Sequence, residues 1–438
     1  MTAGRPARRR ARFALAALVL LAAGACDDAR RAIGRGFAGG TPHERYAGAL
    51  EMAGLARTAL GRQWNAAADS ALRAPAPITL PFRESGYFAA TEARAVAYRF
   101  PVRRGEHVVI LVTSTSADSA HRLFRDLYLV AGSAPPRAVA WGDEATGTME
   151  WDANADGALV LRLQPELLRG VRYTLLVRTT GALAFPVAGH DDRAVQSRFG
   201  AERDGGQRLH EGVDIFAPAG TPVLAAAPGV VTSLGNTTLG GLVVWQWDAR
   251  HGQSLYYAHL SRQVAHEGQR VEIGDTLGLV GNTGNARTTP SHLHFGIYRR
   301  GTGAIDPYPW VRTPHAPPPP VRADLAPLGE LRRTRVGLPD ESVGTLLAAR
   351  DRRYVVRLAD GRLAELPPES LAPLGGLARV ASGPALLRES PSVAAPPVAQ
   401  LARGARATRL GRAGDFCLVE LMAGPRGWLP CAETAGTR

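Results

Sequence analysis

The sequence predicts a multidomain, mainly β protein, and three observations support this fold class. The chain has 438 residues, which is longer than one ordinary domain. Short alternating apolar segments, separated by turns that contain glycine, recur from residue 78 onward. A proline-rich run at 314–320 marks a stiff, extended linker. Because 45% of the residues are hydrophobic and 21% are charged, the chain is able to fill several globular cores.

The chain is strongly basic, with a formal net charge of +13 that comes from arginine, since no lysine occurs. Such a charge favours an anionic surrounding, either a cell wall, a phospholipid surface or nucleic acid. No basic stretch is interleaved with stacking aromatic residues, so we expect no nucleic-acid partner. A GC-rich genome would also explain the arginine bias without any functional meaning.

Residues 1–26 have the pattern of a signal peptide for export. Five arginines between residues 5 and 12 precede an apolar run at 13–23, which is too short for a permanent transmembrane helix. Gly24, Ala25 and Cys26 then resemble the lipobox of bacterial lipoproteins, although Ala23 stands where leucine is more usual. We therefore expect an extracytoplasmic protein, in the periplasm or cell envelope, anchored to a membrane through a lipid on Cys26. The alternative is ordinary signal-peptide cleavage beside an incidental cysteine.

Residues 27–77 are predicted to form a tether followed by a helical segment. Thr41, Pro42 and Glu44 are typical of a helix start, in which threonine caps the helix and glutamate completes a capping box. Helical spacing of apolar residues then continues until Pro75 and Pro77. Nothing in this segment indicates chemistry.

Residues 78–189 are predicted to form a β-sandwich accessory domain. Alternating segments such as 95–100, which Pro101 should stop, are divided by turns. The pattern resembles the jelly-roll-type domains attached to secreted peptidases. This resemblance implies either substrate binding or occlusion of an active site, while a simple spacer role is the alternative.

The C-terminal part follows a proline-rich linker at 313–325 and is predicted to contain small barrels. Residues 378–438, with Leu387-Arg388 early and Gly427-Trp428 late, resemble bacterial SH3-like domains, and 326–375 is a possible degenerate relative. Such modules often bind wall peptides, and a spacer role is the alternative. A hairpin centred on Gly424 would place Cys417 and Cys431 directly opposite each other, which predicts a disulfide in an exported protein.

The segment 190–312 contains the residues that indicate catalysis. His292 and His294 alternate on a predicted strand, so both side chains point to the same face. His210 and Asp214 flank Gly212 at a spacing that lets an imidazole and a carboxylate converge on one ion. Zinc accepts these donors, and a catalytic zinc site has three protein ligands and one open position. Either His292 or His294 would be the third ligand, which leaves the other one and His259 beside the metal.

These residues lie in motifs that are similar to those of the lysostaphin/LytM-type zinc metallopeptidases. The motifs are His210-Glu211-Gly212-Val213-Asp214, Tyr257-Ala258-His259-Leu260, Gly281-Asn282-Thr283-Gly284 and His292-Leu293-His294-Phe295, and the likeness covers roughly residues 195–310. The resemblance implies an antiparallel β catalytic domain that binds one Zn²⁺ through His210, Asp214 and His294. It further implies that His259 and His292 form a catalytic pair, and that the substrate is the peptide part of peptidoglycan.

Two departures from the family pattern concern substrate preference. The loop before His292 is longer than usual, and Gly296 stands where an acidic residue commonly follows. Arg287 in that loop is a candidate for contacting an anionic stem peptide, although exposed arginines are usually only solvated. The sequence does not decide which of His259 and His292 is the general base, nor does it determine the oligomeric state. A non-catalytic wall-binding protein or amidase activator, and a peptidase acting on secreted proteins, remain alternatives.

Overall fold

The computed structural model describes residues 40–117, 120–130, 132, 135–142, 147–314, 317–334, 342–421 and 424–436. The protein is mainly β, as predicted, because these ranges contain 34 strands and only three α-helices. The signal peptide, Cys26 and nearly all of the tether lie outside the described residues.

Two helices, α1 (Pro42–Met52) and α2 (Ala59–Arg73), form the N-terminal segment. The predicted capping box is confirmed, since Thr41 Oγ1 accepts from the Glu44 N–H and the Glu44 carboxylate accepts from the Thr41 N–H. Trp64 on α2 is 1% exposed, and its indole N–H donates to the Pro165 carbonyl at 2.8 Å. The helices are thereby fixed to the β-structure that follows. None of the described helices combines the length and apolar character needed to cross a bilayer.

Residues 76–181 form two facing sheets around one apolar core. One sheet has the order β1-β3-β8-β5-β6, and strands β2, β9, β4 and β7 form the other. The strands are β1 (Ala76–Pro77), β2 (Phe82–Phe88), β3 (Val96–Val102), β4 (Glu106–Ser116), β5 (Leu123–Val130), β6 (Arg137–Gly142), β7 (Thr148–Asp152), β8 (Gly157–Pro165) and β9 (Val171–Gly181).

The expectation that Pro101 stops its strand was wrong, because β3 continues to Val102. Pro101 pairs with Ala158 of β8 on one side, while β1 pairs only with Tyr98 and Arg99 on the other. Among the described residues, no strand pairs with this edge of β3 at Pro101. An edge position tolerates the missing N–H of proline.

Residues 195–311 form a compact β-structure with its own core. Its main sheet has the order β10-β13-β21-β17-β16-β15-β19, with β22 paired to β21, and β14-β20-β18 form a smaller sheet. The elements are β10 (Val195–Ser197), β11 (Glu202–Arg203), β12 (Arg208–Leu209), β13 (Val213–Phe216), β14 (Pro222–Leu224), β15 (Gly229–Thr237), β16 (Gly241–Asp248), β17 (Gln253–Leu260), β18 (Arg262–Gln263), β19 (Arg270–Val271), β20 (Thr276–Leu279), β21 (His292–Arg299), β22 (Gly303–Ile305) and α3 (Tyr308–Val311).

The C-terminal strands continue the sheet of the two-sheet unit, which the sequence did not predict. β24 pairs with β2 through Ser85↔Ala349 and Gly86↔Ala348, and an isolated pairing of Ser342 with Arg412 links β24 to β31. The strands are β23 (Leu331–Thr334), β24 (Ser342–Arg350), β25 (Arg353–Leu358), β26 (Leu363–Leu366), β27 (Leu371–Ala372), β28 (Leu377–Ala381), β29 (Ala385–Arg388), β30 (Pro397–Leu401), β31 (Arg406–Ala413), β32 (Phe416–Leu421), β33 (Arg426–Pro430) and β34 (Thr434–Gly436).

The predicted disulfide between Cys417 and Cys431 is present. The expectation that the two cysteines lie directly opposite was wrong, because Cys417 pairs with Leu429 and Cys431 follows the end of β33. The Cα atoms are nevertheless 4.9 Å apart, which is within the range that a disulfide spans.

A partly buried polar cluster joins the two-sheet unit to the 195–311 unit. Asp152 of β7 accepts from His107 Nδ1 at 2.6 Å and from Arg250 Nη2 at 2.5 Å. His251, which is 7% exposed, donates through Nδ1 to Asp248 at 2.6 Å, and its Nε2 lies 3.7 Å from Asp152. Trp310 packs edge-on against the His251 ring. These contacts fix the relative position of the two units.

Candidate metal centre

Three predicted ligand atoms converge at one point between β13 and β21. Asp214 pairs directly with His294 across the two strands, so both side chains rise from the same face of the sheet. Asp214 Oδ1 is 3.0 Å from His210 Nε2 and 3.1 Å from His294 Nδ1, and the two histidine nitrogens are 2.9 Å apart. One small ion can contact all three atoms, and two imidazoles with one carboxylate suit zinc.

The orientation of His210 leaves one nitrogen free for a metal. Its Nδ1 lies 2.9 Å from the carbonyl oxygen of Arg198, which can only accept, so Nδ1 carries the proton and Nε2 has a free lone pair. Gly212 allows the close approach of the neighbouring strand, because a Cβ there would lie 2.7 Å from His294 Nε2 and 2.5 Å from the Phe295 carbonyl oxygen. The glycine of this motif therefore has a steric function.

His292 and His259, the predicted catalytic pair, lie together beside the three ligand atoms. Their ring centroids are 5.0 Å apart, and His292 Nε2 is 3.9 Å from Asp214 Oδ1. His292 Nδ1 donates to the Pro290 carbonyl at 2.8 Å, and His259 Nδ1 donates to the Thr283 carbonyl at 2.9 Å. In both residues Nε2 is thus the nitrogen that is free to exchange a proton.

His259 has a left-handed backbone with φ of 62°, which is uncommon for a residue other than glycine. The conformation occurs in the part of β17 where the pairing with β16 shifts register. Strict alternation would place Tyr257 on the face of His259, but the shift places Tyr257 in the core. Its ring is fully buried, and its hydroxyl donates to Gln246 at 2.7 Å.

An open groove of about 580 Å³ runs over these five residues. Its walls include Leu239 and Gly240 of the β15–β16 turn, Tyr256 and Tyr298 of the sheet, and residues of the long loop before His292. All of its described lining residues lie between 197 and 298. In the described part of the chain, neither the two-sheet unit (residues 76–181) nor the C-terminal strands contribute to the walls.

The electrostatics of the cluster favour an ionised aspartate. Burial alone would raise the pKa of Asp214, but the imidazoles of His210 and His294 beside it hold it well below its usual range. Burial lowers the pKa of His294, although Asp214 opposes the change. Burial, together with the nearby His294 and His292, lowers the pKa of His259 to about 4. Metal ligation and proton transfer both require neutral imidazole nitrogens.

Sequence reasoning missed Arg203, which contacts the aspartate of the centre. Its Nη2 donates to Asp214 Oδ2 at 2.9 Å and to Ser197 Oγ at 2.5 Å. The second carboxylate oxygen is therefore engaged while the first faces the histidines. Arg203 lies on the short β11–β12 hairpin, and no local pattern distinguishes it from the other arginines of the sequence.

The remaining histidines of the described residues lie outside the groove. His43 stacks on Trp64 at a centroid distance of 4.5 Å, and His121 contacts Ser114. His107 and His251 belong to the polar cluster between the two units, a structural role that the sequence did not indicate. His190 contacts the Ala188 carbonyl, His266 is exposed, and His315 lies outside the described residues.

The fold and the donor set define a metallopeptidase-type β domain, and comparison with known proteins identifies its family. Residues 208–307 match the model of Peptidase family M23, and this segment is a Peptidase M23 domain. The resemblance to the lysostaphin/LytM-type family is thereby confirmed for this segment. The likeness of residues 378–438 to SH3-like domains stays a prediction.

Several characterised proteins share the domain. The L-Ala–D-Glu endopeptidase of Bacillus subtilis is 38% identical over 145 residues, which are 30% of this chain and 44% of that protein. The peptidoglycan DD-endopeptidase ShyC of Vibrio cholerae is 38% identical over 117 residues, which are 25% of this chain and 26% of that protein. The solved catalytic domain of lysostaphin from Staphylococcus simulans is 30% identical, with 26% of this chain and 90% of that one covered and a TM-score of 0.24. The chain thus spans less than half the length of these two curated relatives.

Proposed function

We propose that the protein is a zinc-dependent endopeptidase that hydrolyses peptide bonds of bacterial peptidoglycan. The observation that carries the proposal is the convergence of His210 Nε2, Asp214 Oδ1 and His294 Nδ1 within about 3 Å of one another in an open groove. Relatives that are similar over this segment are named as peptidoglycan DD-endopeptidases and as an L-Ala–D-Glu endopeptidase, which supports this substrate class.

In this proposal His210, Asp214 and His294 hold one zinc ion, and the donor set fits that metal. Bound zinc polarises a carbonyl oxygen and lowers the pKa of a water molecule to about 7. His259 and His292 each keep Nε2 free while Nδ1 donates to a backbone carbonyl, so either can accept a proton in the groove. The other one can donate to the oxyanion that develops at the scissile carbonyl when it is an imidazolium, protonated at Nε2 as well as at Nδ1.

We further propose the domain organisation predicted from the sequence, with export directed by residues 1–26 and lipid attachment at Cys26. The β-sandwich would be an accessory unit, and the segments 326–375 and 378–438 would be SH3-like modules that contact wall peptides. Because the described walls of the groove come only from residues 197–298, a role of the sandwich in positioning the peptidase domain is favoured over occlusion.

A non-catalytic wall-binding protein or amidase activator is the main alternative. All three ligand positions and both catalytic positions are occupied by residues able to act, which argues against loss of activity. A peptidase that acts on secreted proteins is a further alternative, since the groove alone does not specify the peptide.

The test is digestion of purified peptidoglycan by the purified protein, with the released fragments identified by mass spectrometry. We expect new amino termini in the stem peptides, loss of activity with a chelator and recovery with zinc. His294→Ala should abolish cleavage, whereas His266→Ala, which changes an exposed histidine of the same unit, should not. Intact cleavage by His294→Ala would overturn the proposal. Binding of wall material and stimulation of an amidase, without any cleavage, would establish the alternative.

A further inference from the structure

The open face of the main sheet carries an aromatic platform beside the candidate metal centre. The platform consists of Trp245, Trp247, Tyr256 and Tyr298. Trp247 is 40% exposed and the other three are partly exposed, whereas the intervening Gln246, Leu255 and Tyr257 are buried on the opposite face. Alternation on β16, β17 and β21 therefore separates an apolar core face from an accessible aromatic face.

The platform rings contact one another and reach the metal centre. Trp245 lies 4.4 Å from Tyr256 and 5.2 Å from Tyr298, measured between ring centroids. Tyr256 in turn lies 5.9 Å from the ring of His294. Tyr256 and Tyr298 also line the groove, so the platform and the groove form one continuous surface.

Small neighbouring residues keep the platform open. Ser254 stands opposite both Trp247 and Tyr298, and Gly296 stands opposite Tyr256. A Cβ at Gly296 would lie 3.0 Å from Tyr298 Cε2, so a larger residue would crowd the tyrosine ring. Glycine at position 296, where an acidic residue is common in the family pattern, therefore leaves space for an aromatic surface.

The chemistry of the platform is neutral and hydroxyl-rich. Ser233 and Ser254 lie opposite Trp245 and Trp247 on the neighbouring strands, and none of the platform residues or these serines is ionised at neutral pH. Glu211 lies at the edge, where its carboxylate accepts from the Tyr298 hydroxyl at 3.2 Å. A peptide rich in carboxylates would require cationic partners next to the rings. The four platform residues carry no charge, and Arg270, the exposed cation that pairing through Val230 places on this face, lies two strands away from Trp247.

We propose that this platform binds a sugar ring of the glycan strand to which the scissile peptide is attached. A pyranose ring has apolar C–H faces and polar hydroxyls at its periphery, so it can cover an aromatic ring while bonding to hydroxyls at the rim. Continuity with the groove would place the peptide branch over His294 while the glycan lies along the sheet. The inference rests on the proposed function because it extends the substrate of the same site.

The test uses chitotetraose, the neutral tetramer of N-acetylglucosamine, which carries no peptide. Titration calorimetry on the full chain should give saturable binding, and Trp247→Ala should weaken it by about tenfold. Trp247 is 40% exposed, so its replacement leaves the core intact. Trp245→Ala is a second platform variant for the same measurement. Trp141→Ala, which removes a 49% exposed tryptophan of β6, is the matched control.

Binding that falls in both platform variants and persists in the control would support the proposal. Absence of binding to the wild-type chain, or equal affinity in wild type and Trp247→Ala, would overturn it. Cleavage of free stem peptides, measured separately, reports on the proposed function. Sugar binding without peptide cleavage would contradict the proposed endopeptidase function alone. Peptide cleavage without sugar binding would contradict the proposed role of the platform alone.

Discussion

Arg203 and Asp214 form an ion pair in which Nη2 donates to Oδ2 at 2.9 Å. The other carboxylate oxygen, Oδ1, faces His210 and His294. Arg203 thus fixes the rotation of the carboxylate about its Cβ–Cγ bond, so that one oxygen points toward the candidate metal position. A residue that supports a metal ligand in this way commonly affects the affinity of the site for the metal as well as the orientation of the ligand.

We therefore expect Arg203→Ala to weaken zinc binding by about 10–100-fold, as is usual when a group that orients a ligand is removed. Competition with a chromophoric chelator would measure the affinity directly. Arg287→Ala removes the same charge from an exposed position in the loop beside the groove and should leave zinc affinity unchanged. Equal affinities in wild type and Arg203→Ala would contradict this role.

His259→Ala should separate proton transfer from metal binding. His259 keeps its Nε2 free near the groove, because Nδ1 bonds to the Thr283 carbonyl. It is not one of the three residues whose ligand atoms converge. We expect turnover to fall by about 10²–10⁴-fold, the usual contribution of a general acid or base, while bound zinc stays near one per chain. Metal analysis and peptide cleavage on the same sample would check both statements. Loss of the zinc in this variant would instead make His259 a ligand.

The polar cluster between the two units predicts a loss of stability at alkaline pH. Burial lowers the pKa of His251, but Asp152 and Asp248 outweigh this effect and raise it to about 9. His107 and Arg250 also face Asp152, and Gln253 donates to Asp248. A histidine whose pKa is raised on folding stabilises the protein fully below its unfolded pKa of about 6.5, and this contribution disappears as the pH passes through about 9.

His251→Gln should remove that pH dependence. We expect the difference in free energy of unfolding between wild type and variant to be about 3 kcal/mol larger at pH 6 than at pH 10. Urea unfolding at both pH values measures it, and His266→Gln, at an exposed position, serves as the control. A difference that does not change with pH would mean that the ion pairs around His251 do not stabilise the fold.

The disulfide should stabilise the C-terminal unit without affecting peptide cleavage. Cys417 and Cys431 are 14 residues apart, and closing a loop of that length contributes about 3 kcal/mol in the chain-entropy model. Replacing both cysteines with serine should lower the unfolding midpoint of this unit in calorimetry, and a reductant should have the same effect on wild type only. Residues of this unit are absent from the described walls of the groove, so cleavage of a free peptide should be unchanged.

The sequence alone determined the fold class and the members of the candidate site. Strand alternation placed His292 and His294 on one face. The spacing of His210 and Asp214, with Gly212 between them, indicated that an imidazole and a carboxylate converge on one ion. Both effects depend only on local geometry. The capping box at Thr41 and the cysteine pairing were predictable for the same reason, although the register of the cysteine hairpin was not.

Only the tertiary structure decided the relationships that depend on chain segments far apart in sequence. A register shift and a left-handed residue in β17 bring His259 to the groove and leave Tyr257 in the core, which alternation cannot anticipate. The pairing of β2 with β24 and the contact of His251 with Asp152 join segments separated by about 100 residues or more. Arg203 and the platform tryptophans resemble many other residues until folding places them beside Asp214 and Tyr256. Their roles follow from neighbours in space, and no local pattern in the chain encodes those neighbours.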